Sequence, residues 1–269
     1  MFGSLSALIF PTDCILCRRE VVRVGGGALC DLCWESLDPW LGPSCDRCGI
    51  PLASPHVADS APACCGLCRE REPAFDLARS YGLYTGSLRK VILQLKYYRQ
   101  EYLGRRLGGL LARPWAALRL TDSALLIPVP LHPSRRRQRG FDQAELLARG
   151  LLRRLRKEKS APPARFLAGV LRRTRATVPQ VSLSVSARHD NVRGVFSLRS
   201  PAAVCGRTVV VIDDVMTTGA TLAACAAALK QAGAARVFAL SLARATPQFP
   251  DLSDFDPASP LDAVGSNLR

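Results

Sequence analysis

Beyond residue 75 the chain alternates between two hydrophobic rhythms. Continuous apolar runs of strand length occur at residues 124–129 (ALLIPV) and 208–212 (TVVVI), the pattern of parallel strands covered on both faces. Helical spacing separates them. Leu88, Val91, Ile92 and Leu95 fall at i, i+3, i+4 and i+7, and a second helical stretch covers about residues 101–111. Ala144, Leu147, Ala148, Leu151 and Leu155 line one face of a third helix, whose start is marked by Asp142 as cap, Glu145 completing a capping box and Phe141 placed to staple Leu146. A fourth helix begins near Thr221, buries Leu222, Cys225, Ala226 and Leu229, and stops at Gly233. Further strands are predicted at residues 80–84, 166–171 and 236–243, with an alternating edge strand at 195–198. Strand, helix and strand around residues 208–243 predict a right-handed βαβ unit, and hence an α/β domain with a mostly parallel sheet. The interruptions are a basic loop at residues 134–140 and a charged, proline-containing connection at 156–164.

The first seventy residues follow neither rhythm. Nine of the eleven cysteines precede residue 69, and eight of them form four pairs: Cys14-x-x-Cys17, Cys30-x-x-Cys33, Cys45-x-x-Cys48 and Cys65-x-x-Cys68. A CxxC turn brings two thiolates to one ion at tetrahedral angles, and two such turns close a structural site, so eight thiolates hold two zinc ions. Consecutive pairing gives a double zinc ribbon, an interleaved pairing stays open, and Cys64 can stand in for Cys65. Redox-active pairs are the competing use, but four in tandem outnumber any single redox motif. So short a segment, with few large apolar groups, depends on metal to fold.

Length then sets the organisation. The 269 residues accommodate two unequal domains: residues 10–70 as the ribbon, 75–245 as the α/β domain, and a tail at 246–269, rich in Pro, Asp and Ser, expected to be disordered. With 48% apolar and 22% charged residues the composition is globular. Residues 1–10 are apolar but lack a basic leader region, and no later run reaches the roughly 18 apolar residues of a membrane span. A cytoplasmic protein without a membrane span is expected, a compartment in which clustered cysteines bind metal rather than pair as disulfides. A net charge of +15, from 37 Lys+Arg against 22 Asp+Glu, attracts polyanions, either nucleic acid or a phosphorylated small molecule. Richness in Ala, Arg and Leu also offers a purely compositional account of that charge.

The most informative chemistry follows the 208–212 run, where two acids, Asp213 and Asp214, precede Val215-Met216-Thr217-Thr218-Gly219-Ala220-Thr221 and a helix. Carboxylates at a strand's carboxyl end can accept hydrogen bonds from vicinal ribose hydroxyls and help position Mg²⁺. Thr217, Thr218 and Thr221 supply hydroxyls, while Gly219 lets backbone N–H groups face a phosphate at the helix N-terminus. A plain strand-to-helix turn explains one or two of these residues but not the whole run. No G-x-x-x-x-G-K-[ST] loop is present, which disfavours a nucleoside triphosphatase.

This segment looks like the phosphoribosyl-pyrophosphate-binding motif of type I phosphoribosyltransferases. The order of paired cysteines, Ile127-Pro128-Val129-Pro130-Leu131-His132-Pro133, Arg139-Gly140-Phe141-Asp142-Gln143-Ala144 and this loop resembles the ComF family of competence proteins over about residues 14–245. The resemblance implies a type I phosphoribosyltransferase fold behind a small Cys-rich zinc ribbon, and a role in handling incoming DNA. It implies that Asp213 and Asp214 hold the ribose hydroxyls, that Thr217, Thr218, Gly219, Ala220 and Thr221 hold the 5-phosphate, and that Mg²⁺ accompanies phosphoribosyl pyrophosphate. The loop after the 124–129 strand would face the pyrophosphate, with His132, Arg135, Arg136, Arg137 and Arg139 on a mobile flap whose guanidinium groups suit phosphate oxygens. His132 between prolines can equally fix a turn. Asp142 stands where the family's Gly-Phe-Asn-Gln pattern has Asn, which disfavours phosphate contact there. Thr174, Gln180, Leu183, Arg188, Asn191 and Gly194 also resemble the family and suggest a hood over the ligand.

Two classes of function follow. One is an enzyme that displaces pyrophosphate from the ribose C1 with an unidentified acceptor. The other is a non-catalytic accessory of the competence machinery whose basic surface binds single-stranded DNA and whose pocket acts as a ligand sensor.

Overall fold

The computed structural model describes residues 12–21, 29–52, 63–98, 100–158, 161–175, 192 and 194–246. In the ribbon region these form β1 (Thr12–Asp13), β2 (Glu20–Val21), α1 (Asp31–Glu35) and α2 (Gly66–Glu70). The larger part follows as β3 (Leu77–Leu83), α3 (Gly86–Tyr97), α4 (Glu101–Gly108), α5 (Ala112–Ala116), β4 (Ala124–Pro128), α6 (Pro133–Arg139), α7 (Gln143–Leu155), β5 (Ala164–Phe166), β6 (Leu171–Arg173), β7 (Phe196–Leu198), β8 (Thr208–Met216), α8 (Ala220–Gln231) and β9 (Arg236–Arg244).

Five strands form one all-parallel sheet in the order β3, β9, β8, β4, β5. The two apolar runs, β4 and β8, lie side by side, with Leu126 opposite Val210 and Ile127 opposite Val211. Burial on both faces is why these strands carry no polar alternation. Val210 and Ile212 point to a core shared with Leu88, Val91, Ile92 and Leu95 of α3, Leu103 and Leu107 of α4, and Leu147 and Leu151 of α7. Val209 and Val211 point the other way, to Leu222, Cys225, Ala226 and Leu229 of α8. Helices α4 and α7 pack backbone to backbone. A Cβ on Gly150 would lie 2.1 Å from the Arg105 carbonyl oxygen, and one on Gly108 would lie 2.2 Å from that of Leu147.

Several elements depart from the sequence pattern. The basic stretch expected as a loop is the helix α6, because Pro133 at its first turn presets φ, arginine is a good helix former, and Gly140 ends it at φ 85°. The strand expected at 166–171 divides into β5, at the edge of the main sheet, and β6, which pairs with β7 in a separate antiparallel ribbon. The acid pair, expected just past a strand, lies within β8, which continues to Met216 by pairing with β9. The tail at 247–269, and residues Gln180, Leu183, Arg188 and Asn191 of the expected hood, lie outside the described residues.

The cysteine-rich region straddles the edge strand β3. Cys14, Val21, Leu29 and Leu37 join the core on the α3 face. Cys45 and Cys48 join the opposite core, beside Phe75, Ala78 and Met216. The Trp40 N–H donates to the Tyr81 carbonyl at 2.8 Å, and the Ala78 N–H donates to that of Arg47 at 2.8 Å, so the ribbon grips β3 from both ends. Among the described residues the ribbon's buried apolar side chains are shared with the two cores of the α/β domain rather than gathered in a core of their own.

Candidate functional site

Four thiols converge in each half of the ribbon: Cys14, Cys17, Cys30 and Cys33 in one set, Cys45, Cys48, Cys65 and Cys68 in the other, each within 4.8 Å of its fellows. The pairing is consecutive, and Cys65 rather than Cys64 completes the second set. Sulfurs of Cys17 and Cys30 are 3.6 Å apart and those of Cys48 and Cys65 3.7 Å apart. Such spacing is far too long for a disulfide and close to the roughly 3.8 Å edge of a tetrahedron with Zn–S bonds of about 2.3 Å. Each set also receives a backbone donor, from Cys30 N–H to the Cys14 sulfur and from Cys65 N–H to the Cys45 sulfur. The donor sets fit two structural zinc ions.

The acid pair is built by strand geometry. Successive residues of a strand face opposite ways, so Asp213 follows Val209 and Val211 to the α8 face while Asp214 follows Val210 and Ile212 to the α3 face. Asp214 meets Lys96 of α3, Nζ to Oδ1 at 2.9 Å. Asp213 accepts the Asp214 backbone N–H at 2.8 Å. Burial, and then the neighbouring Asp214 charge, push the Asp213 carboxyl up to about 7. Arg173 of β6 lies within electrostatic reach of Asp213 and of Arg135. Tyr84, buried next to Lys96 and Asp214, has its phenol pushed upward by burial.

After β8 the chain turns through residues 217–219 into α8. Gly219 is the cap of α8 at φ 83°, a left-handed conformation that glycine adopts without strain. The Ala220 N–H donates to the Thr218 hydroxyl at 3.3 Å. A Cβ on Gly219 would lie 2.7 Å from Met216 Cε, so the loop is packed as well as turned. Thr217, Thr218 and Thr221 are half-buried. Thr218, Gly219 and Ala220 also line a cleft of about 820 Å³ shared with Phe75, Phe196 and Arg244.

The expected flap residues gather on α6. His132 caps this helix, its Nδ1 accepting the Ser134 N–H at 3.3 Å and lying 2.7 Å from the Ser134 hydroxyl. Arg136 and Arg137 are exposed, Arg135 and Arg139 half-buried. Arg136 approaches Glu145 at 3.9 Å, and Arg139 lies over the Tyr97 ring at 5.4 Å. Asp142 is buried and turned inward, accepting the Leu131 and Glu145 N–H groups at 3.2 Å each. It therefore fastens the loop after β4 to the start of α7 instead of facing a ligand. Thr174 bonds the Val195 carbonyl through both N–H and hydroxyl, closing the β6–β7 ribbon.

Sequence reading missed Lys96 and Arg173. For Lys96 a signal was present: it stands four residues after Ile92, on the stripe that α3 buries, where a cation needs a partner. Arg173 gave none, because its neighbours are set by the β6–β7 pairing, which no local pattern specifies.

Residues 5–70 match the double zinc ribbon domain family, and residues 144–256 match the phosphoribosyl transferase domain family. The chain is 34% identical over 245 residues to DNA utilization protein YhgH of Escherichia coli O6:H1, covering 88% of this chain and 99% of the relative. It is 32% identical over 243 residues to Competence protein F of Haemophilus influenzae, covering 88% and 98%. The chain belongs to the ComF family. The chain also resembles a hypoxanthine phosphoribosyltransferase from Staphylococcus aureus, at 14% identity, over 55% of this chain and 66% of that chain, with a TM-score of 0.32. Within the ComF chain described here, the double zinc ribbon supplies both Cys₄ sets, and β8, the 217–221 loop and α8 all fall inside the segment matched as a phosphoribosyl transferase domain. Among the described residues no helix is long and apolar enough to cross a membrane.

Proposed function

We propose that this ComF protein binds phosphoribosyl pyrophosphate with Mg²⁺ and transfers its phosphoribosyl group to a nucleophilic acceptor, in the cytoplasm, in the service of DNA uptake. The observation that carries the reading is the junction of β8 and α8: a pair of acids, then a hydroxyl-rich turn closed by a left-handed glycine at a helix N-terminus. Asp213 and Asp214 would accept hydrogen bonds from the ribose hydroxyls. Thr217, Thr218, Gly219, Ala220 and Thr221 would surround the 5-phosphate, with the α8 dipole favouring its charge. Arg135 and Arg139 of α6, with Arg173 of β6 in electrostatic reach of Arg135, would neutralise pyrophosphate as it departs. Mg²⁺, when bound with the ligand, would neutralise phosphate charge and hold the pyrophosphate in position. Names of the relatives, which refer to DNA utilization and competence, support the cellular setting.

The test is thermal stabilisation by phosphoribosyl pyrophosphate with Mg²⁺, since a ligand bound only by the native state raises the melting point by mass action. Pyrophosphate release is then followed across nucleobases and amines. No shift at millimolar ligand would overturn the binding assignment; a shift without turnover would leave a ligand sensor.

A second reading, an accessory that binds single-stranded DNA, is favoured by one surface. Arg136 and Arg137 are exposed on α6, the Arg139 guanidinium of the same helix lies over the Tyr97 ring, and Tyr97 and Tyr98 are 41% and 42% exposed. Guanidinium groups for phosphates beside aromatic rings for bases make a sequence-tolerant strand surface.

A further inference from the structure

Arg244, the last residue of β9, is only 2% exposed, yet it has no carboxylate partner among the described residues. Its Nη2 donates to the Cys48 sulfur at 3.7 Å, and its Nε and Nη1 make no hydrogen bond among the described residues. A buried guanidinium is stable only against opposite charge. The available charge is the second cysteine set. Four thiolates around one divalent ion carry a net charge of about −2, and a cation in contact with a sulfur offsets part of it. A second arginine, Arg79 of β3, donates to the carbonyl oxygens of Cys45 at 3.4 Å and Asp46 at 3.0 Å, and so holds the first turn of the same set.

The backbone of Arg244 is tied to the phosphate loop. Arg244 pairs with Met216 in the β8–β9 ladder, and the Ala245 N–H donates to the Met216 carbonyl at 3.0 Å. Met216 precedes Thr217 directly, and its Cε packs where a Gly219 side chain would stand. One arginine thus joins a zinc site on the ribbon to the start of the 217–221 loop.

We propose that Arg244 is the counter-ion of the second zinc site and couples the occupancy of that site to the conformation of residues 217–221, so that loss of this zinc disorders the ligand loop. The ribbon is then a control element for the site in the α/β domain as well as a fold of its own. Only the name of the loop rests on the proposed ligand; the coupling is measured without it.

Zinc-loaded wild type, Arg244→Met and Arg244→Lys are compared without ligand. Zinc release under a chelator is followed by alkylation of each cysteine set, and hydrogen exchange is read at residues 217–221 and, as a control for global stability, in α7. Expected for Arg244→Met is at least tenfold faster alkylation of Cys45, Cys48, Cys65 and Cys68, unchanged alkylation of the first set, and faster exchange at 217–221 with α7 unchanged. Arg244→Lys, which keeps the charge but lacks the fork, should fall between. Wild-type rates in both variants, or exchange that rises equally in α7, overturn the proposal. Should the variants fail to fold, wild type alone decides. A chelator titration in which alkylation of the second set and exchange at 217–221 share one midpoint, with a smaller rise in α7, supports the coupling; separate midpoints, or an equal rise in α7, refute it.

Discussion

Lys96 and Asp214 form an ion pair between α3 and β8 at 2.9 Å, with side chains only 17% and 11% exposed. Removing one member of such a pair leaves an uncompensated charge in a poorly solvated place. Lys96→Met is therefore expected to destabilise the protein by about 3 kcal/mol. The double variant Lys96→Met with Asp214→Asn should recover part of that loss, and a denaturant double-mutant cycle gives the coupling. Strictly additive losses would show that the pair is incidental.

Asp213 gives the site a pH dependence. Its carboxyl is pushed from 3.8 up to about 7 by burial and by Asp214. The native state thus holds a proton that the unfolded chain releases, so this contribution to stability is present at low pH and is lost as pH rises from about 4 through about 7. Ligand-free wild type should lose a few degrees of melting temperature across that window relative to Asp213→Asn, whose profile should be flatter. Affinity for phosphoribosyl pyrophosphate with Mg²⁺ should rise across the same window. Parallel melting profiles would count against the assignment.

Asp142 is predicted to be structural. Asp142→Ala removes a helix cap and orphans the Leu131 N–H, at a combined cost of about 2 kcal/mol. Asp142→Asn keeps one acceptor oxygen and should lose about half as much. A ligand affinity that fell while stability held would instead place Asp142 in the binding site.

Elemental analysis should find two zinc ions per chain, one for each cysteine set. Because the ribbon donates residues to both cores, chelation should lower the melting of the whole chain in one transition. An α/β domain that melted unchanged after chelation would contradict that shared packing.

If α6 contacts single-stranded DNA, affinity should fall with salt at a slope of roughly −0.7 per phosphate contacted. Replacing Arg135, Arg136 and Arg137 with Ala should then flatten the slope. An unchanged slope would assign the helix to the small ligand alone.

Where a local rule and the tertiary setting agreed, the fold was readable from sequence. The buried stripe of α3, the Asp142 cap of α7, the β4 and β8 runs, and the glycine stop of α8 are such places, whereas the Glu145 carboxylate of the expected capping box bonds Arg149 instead. The Cys₄ sets were legible because ligand spacing is local, and the structure resolved their pairing and the rivalry of Cys64 with Cys65. Long-range geometry was not legible. Nothing in the sequence near Asp214 announces Lys96, more than a hundred residues earlier, and nothing near Arg244 announces Cys48, 196 residues away. The helix α6 was obscured by its charge, since a run of arginines between prolines and glycine reads as a solvated loop.

The hydroxyls of Ser80 and Ser241 meet across β3 and β9 at 2.7 Å although 161 residues separate them. During synthesis the ribbon and β3 leave the ribosome long before the strand they pair with exists. The faces that the two cysteine sets cover are likewise completed only by β8, α8 and β9. Completion of the sheet therefore waits on β9, and a nascent chain halted before residue 236 exposes β3 as an open template for wrong partners. Such topology folds slowly for the length of chain involved, and metal loading must await β9 or proceed on a ribbon whose apolar side is still wet.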